Sequence, residues 1–225
     1  MKKYILLVVL LLTLCACPKV AVNVHTPTQT DYEFDYWQDM RIDGDTAIFY
    51  ISYSIGAKKF HLALEAMKDR GIKKLHIWVM SGGGSMLDMF DIIDQVDEFK
   101  KNGGTVTSHI AGFAGSAALP IYLMGDHRTI GTYSSIMLHP HSLWNKTLSD
   151  YIWGMDKDEV TPTDETLFHK MSLIWTYNYA WIVSERTNLS FLEAWNLVSI
   201  EDSDKGQYWF TAMEALNMGF AHEII

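Results

Sequence analysis

Ser116 closes the segment Gly112-Phe113-Ala114-Gly115-Ser116, and His139 ends the apolar run Ile136-Met137-Leu138. A hydroxyl and an imidazole are two of the three parts of a serine-histidine-acid machine, in which the imidazole takes the hydroxyl proton as the oxygen attacks a carbonyl carbon. The small residues around Ser116 would let a substrate backbone approach it. A second glycine segment, Ser81-Gly82-Gly83-Gly84-Ser85, is suited to an oxyanion site, because glycines let backbone N–H groups face a ligand without side-chain interference. It lacks the Lys-Ser/Thr end of a phosphate loop and the spacing of a dinucleotide fingerprint, so phosphate binding is not expected. Read alone, Ser116 would also serve as a helix N-cap, the glycines as a plain tight turn and His139 as a structural imidazole. His139-Pro140-His141 has no companion ligand pair and is a poor zinc pattern, so no metal and no cofactor is expected.

The surrounding chain reads as strands alternating with helices. Residues 46–51, rich in β-branched and aromatic types, predict a strand, and 57–70 a helix with Phe60, Leu62, Leu64 and Met67 as apolar positions. A strand over 75–80 leads into the first glycine segment and then an amphipathic helix carrying Leu87, Phe90, Ile93 and Val96. The order repeats as a strand over 105–110, a turn over 112–116 and a buried helix over 117–124. Strands near 128–130 and 135–138, a polar insertion over 144–163 and a long helix over 165–185 follow. Ser190 and Thr211 are expected to cap helices, each with a glutamate, Glu193 and Glu214, at the third helical position. This alternation predicts an α/β fold with a mainly parallel sheet, helices on its faces and a helical C-terminal third. Ligands of such sheets sit at the C-terminal strand ends, which places both glycine segments in one cleft.

Charge and cysteines narrow the setting. Lys2 and Lys3 precede an apolar run too short for a membrane-spanning helix of ~20 residues, the layout of an export signal. Leu14-Cys15-Ala16-Cys17 resembles the bacterial lipoprotein signal and implies a cut before Cys17, lipidation of Cys17 and a membrane-anchored protein of the cell envelope. Cleavage without lipid stays open, and Cys15 departs from the usual residue. The reading divides the chain into a signal over 1–17, a polar tether over 18–44 and a domain over 45–225. Both cysteines lie in the signal, so the domain can hold neither a disulfide nor a thiol nucleophile. The formal charge of −9 becomes more negative when the two lysines are removed, which argues against a nucleic-acid partner.

Four segments in order resemble the Clp protease proteolytic subunit family, whose fold is crotonase-like. They are Ser81-Gly82-Gly83-Gly84-Ser85 with its helix, Gly112 to Ser116, Ser134-Ser135-Ile136-Met137-Leu138-His139-Pro140, and the closing stretch from Tyr208 to Ala221. The resemblance implies stacked ββα units and a serine endopeptidase acting on peptides or unfolded proteins through an acyl-enzyme. It makes Ser116 the nucleophile and His139 the general base, with the Gly83 and Ala117 amides as the oxyanion hole. The family's acid falls at Gln207 in an ungapped match; Asp204 is our assignment and Asp202 the alternative, as orienters of the histidine.

Gly82 stands where the family has proline, and Ala117 where it commonly has methionine. Ser142-Leu143-Trp144-Asn145-Lys146 replaces a glycine-rich strand that binds substrate and joins subunits, leaving substrate preference and ring size open. A homo-oligomer is expected. An ATP-driven unfoldase partner is not, because an exported protein meets no ATP. The histidine at the strand end favours this arrangement over the lysine base of the related signal peptide peptidases. An acyl-CoA enzyme of the crotonase type would need no serine and would not meet its substrate outside the cytoplasm. A catalytically inactive envelope binding or assembly module is the alternative.

Overall fold

The computed structural model describes residues 39–139, 162–199 and 207–225, with the backbone alone over 162–169. Its first part runs β1 (Met40–Asp43), β2 (Thr46–Ser54), α1 (Ala57–Asp69), β3 (Lys74–Gly83), α2 (Met86–Lys101), β4 (Thr105–Gly115), α3 (Ala118–Leu123), β5 (His127–Ile130) and β6 (Ser135–Leu138). Then come α4 (Pro162–Arg186), α5 (Phe191–Val198), β7 (Tyr208–Thr211), α6 (Ala212–Asn217) and β8 (Glu223–Ile224). The fold is α/β with a mainly parallel sheet. Strands β2, β3, β4, β5 and β8 lie side by side in parallel, with β1 antiparallel at one edge.

The sheet differs from the expected one where the site lies. Both glycine segments belong to strands: β3 continues through Gly83 and β4 through Gly115. Strand β4 pairs with β5 over Thr107 to Ile110, then with β6 over Phe113 to Gly115. Between these stretches its register against β3 jumps, from Val79 opposite Ile110 to Ser81 opposite Ala114. Gly112, at φ +85°, lies in this bulge, a conformation that side chains disfavour. Periodicity sees only the apolar run and cannot show that a strand changes neighbours. β1 falls within the stretch assigned to the tether, and β7, inside the closing stretch, is a strand antiparallel to β6.

Alternation along the strands builds the core. Ala47, Phe49 and Ile51 of β2, Leu75, Ile77 and Val79 of β3, and Val106 and Ile110 of β4 are buried. Phe60, Ala63 and Met67 of α1 form the facing stripe, and Phe60 meets Phe49 edge to face at 5.0 Å. Met89, Ile92, Ile93 and Val96 do the same for α2. Leu62, an apolar position of α1, and Leu87, at helical spacing with the α2 stripe, are exposed. The opposite sheet face carries Tyr50, His76, Trp78 and Met80, and Met80 is about half exposed. Both predicted capping boxes form, Ser190 with Glu193 and Thr211 with Glu214.

Arg128 is buried and ties the C-terminal elements to the sheet. Its guanidinium donates to the carbonyls of Gly125, Arg186, Gly219 and Phe220, at 2.7 to 3.2 Å. These bonds satisfy the buried donors and anchor the end of α4. Among the described residues no helix is long and apolar enough to cross a membrane.

Candidate active site

Ser116 follows the last residue of β4 and is half-buried, with φ +49°. A non-glycine residue in this left-handed region is strained and must be held there. Its N–H donates to the Met137 carbonyl at 2.9 Å. Its carbonyl accepts from the Leu119 N–H at 3.1 Å and the Tyr179 hydroxyl at 2.9 Å. The helix-cap alternative does not apply: Ala117 is the N-cap of α3 and no side chain caps it. The Ser116 Oγ instead lies 2.8 Å from His139 Nε2.

Strand β6 sets both partners. The Met137 carbonyl holds the serine backbone, and the chain leaving β6 brings His139 to the Ser116 hydroxyl.

The first glycine segment touches the second. Gly83 has φ +107°, and a Cβ built on it would lie 2.8 Å from Ser116 Cβ, 2.9 Å from Ala117 N and 2.9 Å from the Gly115 oxygen. Only glycine fits there. Gly83 and Ala117, the residues expected to supply oxyanion donors, thus lie side by side, but their N–H groups differ in state. The Gly83 N–H donates to Ser81 Oγ at 3.1 Å, and that hydroxyl donates to the Tyr53 carbonyl at 2.7 Å. The Ala117 N–H has no backbone partner among the described residues.

An apolar wall flanks the serine. The Phe113 ring lies over Gly115 and beside Gly82, and it stacks on Trp209 of β7 at 5.1 Å and 20°. Trp209 is 55% exposed. Its Nε1–H donates to Gln207 Oε1 at 3.1 Å, so the Gln207 amide is turned to the tryptophan. Asp204, Asp202, His141 and Cys17 lie outside the described residues. Among the described residues no group of three or more His, Cys, Asp or Glu is placed to hold a metal.

Sequence reasoning missed Ser81 and Tyr179 as parts of this site. Ser81 bordered the glycines but carried no distinguishing pattern. Tyr179 is one aromatic among many on α4, and only the packing of that helix shows what its hydroxyl meets.

A family model described as Clp protease matches residues 56–225. Among solved structures, this chain is similar to a ClpP1 mutant from Listeria monocytogenes, at 18% sequence identity and a TM-score of 0.62, covering 79% of this chain and 90% of that one. That likeness speaks for the fold. Comparison with curated proteins finds no match.

Proposed function

Because this chain belongs to the Clp protease family, we propose that it is a serine endopeptidase that cleaves peptides or already loose polypeptides through an acyl-enzyme. The observation that carries this reading is the 2.8 Å contact between Ser116 Oγ and His139 Nε2, made by a serine whose strained backbone turns it away from capping a helix. In the proposed reaction His139 takes the Ser116 proton while the oxygen bonds to the substrate carbonyl carbon. The carbonyl oxygen gains the electron pair and faces the amides of Ala117 and Gly83. It competes with Ser81 Oγ for the second of these. On collapse the C–N bond breaks and His139 returns the proton to the departing amine. Water, deprotonated by His139, then releases the acyl group and the proton goes back to Ser116.

We assign the orienting acid to Asp204, with Asp202 as its neighbouring alternative. Gln207 carries no charge and already accepts from Trp209. The Phe113 and Trp209 wall suits a large apolar substrate side chain beside the serine. From the N-terminal pattern we propose export, a lipid anchor at Cys17 and assembly with copies of itself in the envelope. An ATP-driven unfoldase has no place there.

Labelling with a fluorophosphonate tests the reading. Wild type is expected to be labelled, and Ser116→Ala not at all. His139→Gln is expected to label at least about 100-fold more slowly, the typical contribution of a positioned general base. A folded wild-type protein that takes no label at Ser116 would support the inactive binding module instead.

A further inference from the structure

Tyr179 is 1% exposed, and its hydroxyl reaches the backbone of Ser116 from the α4 side, donating to the carbonyl oxygen at 2.9 Å. The carbonyl and the next N–H of a trans peptide point in opposite directions. Holding the Ser116 carbonyl towards Tyr179 therefore aims the Ala117 N–H away from it. Gly83 lies close to that amide: its Cβ position is 2.9 Å from Ala117 N. With the Gly83 N–H engaged by Ser81, the aim of the Ala117 N–H decides how well a developing oxyanion is met in this conformation.

We infer that Tyr179 is a positioning residue for the oxyanion site, fixing the Ser116-Ala117 peptide so that the Ala117 N–H faces the reacting carbonyl. Two effects act together. The bond locks the rotation of a peptide that follows a left-handed serine, whose other side is held by Met137. It also polarises the peptide, because a hydrogen bond accepted at C=O strengthens the N–H of the same unit as a donor. Burial pushes the Tyr179 phenol well above its ordinary pKa, so it remains a donor across the working pH range. Arg128 holds the C-terminal end of α4 through the Arg186 carbonyl and so helps fix the helix that carries the tyrosine.

This inference rests on the peptidase reading. Tyr179→Phe keeps the ring and leaves the Ser116 carbonyl its bond from Leu119. The expected result is a fall in kcat of about 10- to 100-fold with KM within about twofold of wild type, as for loss of an interaction made in the transition state. Affinity for a peptide aldehyde, which forms an oxyanion on Ser116, should fall in proportion, while affinity for the corresponding unreactive peptide alcohol should not. A purely structural tyrosine would instead lower the melting temperature and weaken both ligands together. If Tyr179→Phe does not fold, 3-fluorotyrosine at 179 replaces it. That residue keeps the shape with a more acidic hydroxyl, and should raise kcat without changing KM. A folded Tyr179→Phe with wild-type kcat and aldehyde affinity, or an unchanged kcat with fluorotyrosine, overturns the positioning role while leaving the peptidase intact. Absence of fluorophosphonate labelling in wild type overturns both.

Discussion

Replacing Gly83 by alanine inserts one carbon where the structure has no room. The new Cβ would stand 2.8 Å from Ser116 Cβ and 2.9 Å from both Ala117 N and the Gly115 oxygen. Carbon atoms settle at about 3.5–4.0 Å, so the two segments must separate by up to about 1 Å. A displacement of that size at reacting groups costs about 100-fold in rate. The backbone adds its own penalty, since φ +107° is costly for alanine, by about 1–3 kcal/mol. Overpacking adds about 1–3 kcal/mol more. Gly82 provides the control: its Cβ would meet only the Phe113 ring, at an ordinary 3.7 Å. Peptide hydrolysis, fluorophosphonate labelling and thermal melting of both variants are the assay. Gly83→Ala is expected to lose at least about 100-fold in kcat/KM and to melt earlier, whereas Gly82→Ala stays within about threefold. Equal losses in the two variants, or a fully active Gly83→Ala, would refute the argument that contact between the two glycine segments shapes the site.

Trp209→Ala removes one half of the stacked wall beside Ser116, and with it an aromatic contact worth about 0.5–1.5 kcal/mol to a substrate ring packed there. The expected loss in kcat/KM is about 2- to 12-fold for peptides with a large apolar residue at the cleaved bond and close to nothing for those with a small one. A uniform loss across both peptide sets would remove the wall from substrate recognition. The half-buried His76 and the buried His109, close to each other on one side of the sheet, make stability depend on pH. Burial holds both imidazoles below their ordinary value of 6.5, and for His109 the proximity of His76 adds to it. The unfolded chain then binds more protons than the folded one just below pH 6.5. This contribution to stability is present above about pH 6.5 and is lost as pH falls through the lowered folded values. Melting curves from pH 8 to 5 should show a smaller acid loss for His109→Gln than for wild type; parallel curves would contradict the assignment.

Much of the fold was legible because each strand-helix unit carries its own signal. The capping boxes at Ser190 and Thr211 are purely local, and both form. Helical spacing puts Leu87 with Phe90, Ile93 and Val96, yet it is exposed, because spacing shows that an apolar face exists but only packing shows which residues it includes. The glycine segments read as turns in the sequence but belong to strands, for a related reason. Gly112 lies in a bulge where β4 exchanges β5 for β6, and strand partnership is not written in the residues of one strand.

The amino-acid sequence by itself supplied the reactive groups, the order of the motifs and the absence of thiols from the domain, since these are properties of residue type and position. It also placed His139 at a strand end and Ser116 in a turn before a helix. Whether Ser116 caps a helix or meets an imidazole depended on φ +49° and on the register that puts Met137 beside Gly115, both outcomes of long-range pairing. The same holds for the Gly83 contact, for the Ser81 hydroxyl that engages the Gly83 N–H and for the Tyr179 hydroxyl on the Ser116 carbonyl. These depend on distances between segments far apart in the chain, and only the folded sheet with α4 packed against it brings them together.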